Sequence, residues 1–253
     1  MKQSFTLENL QALLFFPFKG PGGNKKLAIG SLITFASFII PILPSLFLLG
    51  YAGLIMRQII IEKKEPQMPE WQNWNEMLAL GAKLFGVSFV YSFPIIIVMI
   101  LGYLAMMLPV FMTGFSESGE LPPGFESVML IGMFGGMAAF GIGMLLSLLL
   151  WAILPPALSH TAAKGSFSAG FRVREWWNIF RANIGGFIVA MILAGGIYML
   201  LIVAMQIIYM TIILCFLLPF LFSFVTAYLT IIIFTLFAQA YSEGVAKTEL
   251  QAG

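Results

Sequence analysis

Residues able to do chemistry are few and scattered. His160 is the only histidine and Cys215 the only cysteine, so neither a histidine metal cage nor an intrachain disulfide can be built. A Ser–His pair needs a carboxylate to orient the imidazole, and none stands beside His160 in sequence. His160 lies among Ser159, Thr161 and Lys164, so it is expected to be solvated or to face lipid headgroups. The run GPGGNKK at Gly20–Lys26 lacks the spacing and the preceding strand of a phosphate-binding loop. The 16 Met are read as adaptable packing, not copper ligands. The pattern therefore implies no cofactor and no enzyme.

What remains is chemistry suited to a membrane boundary. The segment from Ser166 to Gly186 is the clearest case. At helical spacing Ala169, Val173, Trp176, Trp177 and Phe180 share one face, while Arg174, Asn178 and Arg181 share the other. Ser168 is placed to cap its start. A helix of this kind suits the interface plane, with Trp at the apolar boundary and Arg toward headgroups. Arg57, Trp71 and Trp74 border a second such region, which makes Arg57, Trp71, Trp74, Arg174, Trp176, Trp177 and Arg181 the candidate lipid- or partner-facing residues. Gln206, deep in an apolar run, is the candidate interhelical polar contact, because a buried amide must find a partner in hydrocarbon. Ser92, Ser147, Thr211, Ser223, Thr226, Thr230 and Thr235 are expected to act in the same way.

These residues must be positioned by membrane helices. The chain is 253 residues long, 60% hydrophobic and only 9% charged, with no Asp. That balance predicts an all-α, polytopic helical membrane protein and excludes nucleic acid as a partner class. Apart from Lys83 near one end, no membrane span between the boundary charges carries Asp, Glu, Lys or Arg, which argues against proton coupling.

Taken in order, residues 1–26 form an interfacial segment, with Leu7, Leu10, Leu13 and Leu14 inward and an end at Pro17 and the turn of Gly20 to Gly23. Residues 27–61 form a helical hairpin with its tip at Pro41 to Pro44, since Lys25 and Lys26 precede it and Arg57, Lys63 and Lys64 follow it. One long kinked span is the alternative. Residues 62–163 hold the Trp-containing loop and spans three and four, with Pro94 a kink, the loop at Ser118 outside, and Pro155–Pro156 ending the fourth span. Residues 164–240 hold the amphipathic helix and spans five and six, and residues 241–253 a polar tail. Six membrane-entering helices with both termini cytoplasmic result, within one integral membrane domain of a cell membrane. All five Trp fall at the predicted inner face. Glu70-Trp71-Gln72-Asn73 and Glu175-Trp176-Trp177-Asn178 form a weak repeat, with Gly81 and Gly186 at the same offset.

Two blocks, GSLITFASFIIPILPSLFLLGYAGLIMRQIIIEKKEPQMPEWQNW and FSAGFRVREWWNIFRANIGGFIVAMI, together with LFAQAY, resemble the prokaryotic multi-pass family called domain of unknown function 4013. Pro41, Gly50-Tyr51, Arg57, Pro69-Glu70-Trp71 with Trp74, the Phe171 to Asn183 segment and Gln239-Ala240-Tyr241 carry the likeness. It implies an integral membrane protein of bacterial or archaeal type and says nothing of activity. The layout is more distantly similar to membrane domains of glycerophosphodiester phosphodiesterases and of Yip-type trafficking proteins, an analogy of fold alone. The first expectation is a lipid-interacting scaffold or accessory subunit acting through its cytoplasmic face, with membrane lipids, another membrane protein or a second copy as partners. The competing expectation is a permease for an apolar or amphiphilic solute.

Overall fold

The computed structural model describes residues 7–114, 125–210 and 216–252. The expected outer loop at Ser118, Thr211 and Cys215 lie outside them. The described residues form eight α-helices and no strand: α1 Leu7–Lys19, α2 Gly23–Ala36, α3 Leu43–Ile60, α4 Trp74–Gly114, α5 Phe125–Lys164, α6 Val173–Ala182, α7 Ile184–Tyr209 and α8 Leu218–Ala252. A 3-10 helix, Phe167–Phe171, precedes α6. Five of these, α3, α4, α5, α7 and α8, are long and apolar enough to cross a membrane. At 1.5 Å per residue the 14 residues of α2 reach about 21 Å, short of a hydrocarbon core of about 30 Å. It is the short arm of a hairpin with α3, closed through residues 37–42 where Ser37 meets Ser45.

The chain divides into two compact units. One comprises Met1–Val87 with Pro155–Gly253, the other Ser88–Leu154. In the first, α8 runs through the centre. Ile231, Ile232 and Leu236 are fully buried, as are Tyr51, Ile55 and Met56 of α3. Glycine permits the closest approach: a Cβ on Gly50 would lie 1.8 Å from the Met77 carbonyl oxygen, and one on Gly81 1.8 Å from that of Leu46. The backbones of α3 and α4 therefore touch, and any side chain at either glycine would separate them. In the second unit α4 and α5 pair along Gly102, Gly132 and Gly136, where an added Cβ would meet Ala139, Ala105 and Met106 at 2.5–3.0 Å.

Of the expected helix ends, one is met and one needs correction. Helix α1 runs through Pro17 to Lys19 and ends at the expected turn beginning with Gly20, with Leu13 buried and Leu10 and Leu14 half-buried. Helix α5 does not stop at Pro155–Pro156 but runs on to Lys164. Proline removes a backbone donor and crowds the preceding turn, a cost that favours stopping. Here every residue from Pro155 to Ala162 is buried, and packing on all sides outweighs the local penalty. Ser159 and Thr161 donate one turn back to the carbonyls of Pro155 and Ala157, which satisfies their buried hydroxyls within the helix. The polar tail belongs to α8, which is continuous to Ala252, and Gly244 packs on the Ile179 carbonyl of α6.

The hydroxyls expected to bond between helices mostly do not. Ser147, Ser223, Thr230 and Thr235 each donate to the carbonyl four residues earlier in the same helix. Such back-bonding satisfies a hydroxyl in an apolar setting without any neighbour. The two repeat copies differ as well, the first lying in an irregular segment ahead of α4 and the second within α6.

Candidate membrane-interface site

Helices α2, α4 and α7 start, and α3, α5 and α8 end, at one pole of the first unit. Side chains prove the convergence. Lys26 of α2 reaches the Met68 carbonyl (2.9 Å) and Glu70 (2.7 Å) in the loop before α4. Lys83 of α4 donates to the Gly165 carbonyl at the end of α5 (2.9 Å), a cation on the negative end of a helix. Asn183, ahead of α7, donates to the Ala240 carbonyl of α8 (2.8 Å) and to Glu243 (3.0 Å), and accepts from Lys247 (2.6 Å).

His160 sits inside this pole, only 2% exposed, which corrects the expectation of a solvated ring. Its Nδ1 meets the Tyr241 hydroxyl at 2.5 Å and its Nε2 meets Glu175 at 3.1 Å. Glu175 stands fifteen residues away and Tyr241 eighty-one, so adjacency in sequence could reveal neither. Because α5 runs past its two prolines, the imidazole ties α5, α6 and α8 together. Arg172 approaches the other Glu175 oxygen at 3.5 Å. Both ring nitrogens are engaged, so His160 offers no lone pair to a substrate.

The aromatic candidates divide into two kinds. Trp71 is buried, stacked on Tyr51 at 4.0 Å, with its indole N–H donating to the Lys26 carbonyl (2.9 Å). Tyr51 in turn donates to the Pro69 carbonyl (2.8 Å). Trp176 is 1% exposed and donates to the Gly170 carbonyl (3.0 Å). These two are structural anchors. Trp74 and Trp177 are exposed at 42% and 38%. Trp74 leans on Phe47 and Trp71, and Trp177 on Trp176 and Phe180. Arg57 is paired with Glu76 at 2.9 Å, whereas Arg174 and Arg181 are exposed on α6.

The α6 segment departs from its expected form at its start. Ser168 lies exposed in the 3-10 helix and caps nothing; α6 begins at Val173 after Arg172, without a side-chain cap. Gly170 lets this 3-10 turn pack tightly, since a Cβ there would fall within 2.8 Å of Val87 and Thr161. Glu175 places a negative charge in the first turn instead. Around α6 the order runs from buried Trp176 and half-buried Phe180, through exposed Val173 and Trp177, to exposed Arg181, Arg174 and Asn178. Val173 and Trp177 thus sit on the shoulder of the helix, not in its core face as the spacing predicts.

Gln206 is exposed and lines an apolar cavity of about 780 Å³ between α7 and α8, with Tyr198, Thr226 and Thr230 on its walls. Among the described residues no group of three His, Cys, Asp or Glu side chains could hold a metal ion.

An all-helical bundle with five membrane-length apolar helices and a polar pole of convergent helix ends defines a polytopic membrane protein. The chain belongs to the family described as protein of unknown function (DUF4013), whose model matches residues 33–210. No curated protein and no solved structure matches it.

Proposed function

We propose that this protein is a non-enzymatic, lipid-interacting scaffold or accessory subunit of a membrane complex. It works through the pole that carries α6, which faces the cytoplasm together with both termini. The observation that carries this reading is the order of side chains around α6. An anchored face holds Trp176, a shoulder exposes Val173 and Trp177, and the far side exposes Arg174 and Arg181. Such a helix suits the boundary of a bilayer, with indole at the headgroup level and guanidinium toward phosphate. The exposed Lys25, Lys63, Lys64 and Lys164 stand on helix ends of the same pole, in keeping with positive charge on the cytoplasmic side. The engaged nitrogens of His160 favour a structural over a catalytic role.

Native mass spectrometry of the protein released from nanodiscs of mixed anionic and zwitterionic lipid tests the reading. Bound lipid should survive mild activation, and Arg174→Gln with Arg181→Gln should lower anionic-lipid retention by up to about thirtyfold without abolishing it, since each of the two charges near an anionic surface is worth about 1 kcal/mol. A delipidated protein with unchanged stability would refute it.

A second reading, a permease for an amphiphilic solute, draws on the cavity between α7 and α8. Solute uptake by proteoliposomes that is abolished by Gln206→Leu without loss of fold would favour that reading.

A further inference from the structure

We propose that a second cavity at the same pole binds the phosphoethanolamine head group of a membrane phospholipid; this rests on the lipid-interacting reading above. The cavity measures about 650 Å³ and lies between α1, the loop at residues 65–68 and α8. That is within the range of about 300–1,000 Å³ typical of small-ligand sites. Leu13 and Phe16 form an apolar wall, and Lys19, Lys26, Glu65 and Gln239 supply the polar one.

Gln239 states the requirement. Its Oε1 is buried and, among the described residues, has no hydrogen-bond partner. A buried amide oxygen is costly unless a donor reaches it. The occupant must therefore carry an N–H or O–H. Lys26 uses two of its three N–H donors on Met68 and Glu70, which leaves one. Lys19 and Glu65 add one exposed charge of each sign. A phosphoethanolamine zwitterion matches this set, its phosphate toward the lysines and its ammonium toward Gln239 and Glu65. A choline head group has no N–H to offer Gln239, and an anionic head group without a cation would face Glu65 uncompensated.

Position favours a membrane lipid as the source. Along α2 the charged Lys25 and Lys26 give way within six residues to Leu32, which is 69% exposed, and α1 exposes Phe15 and Phe18. Charge thus yields to exposed apolar surface at the level of this cavity, as it does in the headgroup layer. An apolar groove of about 490 Å³ also borders the end of α1, running from Phe18 past Leu27 and Ser31 to Phe220 and Phe224 of α8. Its α2 wall, residues 24–35, spans about 17 Å, roughly the hydrocarbon depth of one leaflet and the reach an acyl chain needs.

Native mass spectrometry of the full chain, titrated separately with phosphatidylethanolamine, phosphatidylcholine and phosphatidylglycerol, reads the selectivity. One charge-assisted hydrogen bond predicts about tenfold stronger retention of phosphatidylethanolamine than of phosphatidylcholine. Gln239→Leu, which removes an unsatisfied polar atom at similar volume, should leave the fold intact and abolish that preference, while Gln239→Glu should increase it. Lys19→Gln should weaken retention of all three lipids. Equal retention of the ethanolamine and choline lipids, or a preference that survives Gln239→Leu, overturns the proposal and assigns the Gln239 oxygen to water. Competition by soluble glycerophosphoethanolamine at the lipid's own concentration would overturn the membrane source. Lipid retained without this preference sinks the head-group site alone, whereas no retained lipid sinks the proposed function with it.

Discussion

Trp176 and Trp177 are neighbours in sequence with opposite surroundings, and replacing each by Ala separates anchoring from interfacial contact. Trp176 is 1% exposed, its ring packed between α6 and the body and its N–H bonded to Gly170 at 3.0 Å. Truncating a buried Trp costs about 3–5 kcal/mol in lost burial and cavity formation. Losing the hydrogen bond adds about 1 kcal/mol. Trp177 is 38% exposed and keeps only edge and tilted contacts with Trp176 and Phe180. Aromatic pairs of this kind are worth about 0.5–1.5 kcal/mol. At about 2–4 °C per kcal/mol for a chain of this size, Trp176→Ala should lower the melting temperature by roughly 10 °C or more, and Trp177→Ala by no more than a few degrees. Thermal unfolding in one detergent, at fixed protein and lipid content, measures both. Retention of lipid after mild activation should respond in the other direction, with Trp177→Ala the more affected. Equal destabilisation by the two variants would refute the division of α6 into an anchored face and an exposed shoulder.

Three further outcomes follow from the same geometry. Gly50→Ala and Gly81→Ala should each prevent a monodisperse fold in size-exclusion chromatography, because their new Cβ atoms would strike backbone carbonyls, whereas Gly135→Ala, with nothing within 4 Å, should behave like the parent. Tyr241→Phe should cost about 1–3 kcal/mol by leaving a buried imidazole nitrogen without its partner, and a double-mutant cycle with His160→Ala should recover most of that loss; additive effects would show that the contact is not coupled. In a Cys215→Ser background, cysteines placed at Lys64 and Ser168 should be labelled only from the cytoplasmic side, and labelling of Lys64 from outside would replace the hairpin with a single span.

The family was legible in particular motifs such as Gly50-Tyr51 and Pro69-Glu70-Trp71, whereas composition and the length of the apolar runs determined the helical class and the membrane-length helices. These follow from averages over many residues, and a 60% hydrophobic chain in long uninterrupted runs has few other folds open to it. The burial of Trp176 and the exposure of Arg174 and Arg181 were also legible, as each follows from a 3.6-residue period. Only tertiary structure decided the rest. Pro155 and Pro156 read locally as a stop, yet burial of the whole turn carries α5 onward, and that extension alone brings His160 between Glu175 and Tyr241. The position of Trp177 depended on which flank of α6 meets the body, which a period cannot specify. The docking of the end of α8 was not legible, because its partners Asn183 and Ile179 lie some sixty residues earlier. Hydroxyls that pattern reasoning sends across helices satisfy themselves one turn back. The orphaned oxygen of Gln239 becomes visible only once α1, the 65–68 loop and α8 close around it, because an unmet hydrogen bond is a property of an enclosure and not of a residue.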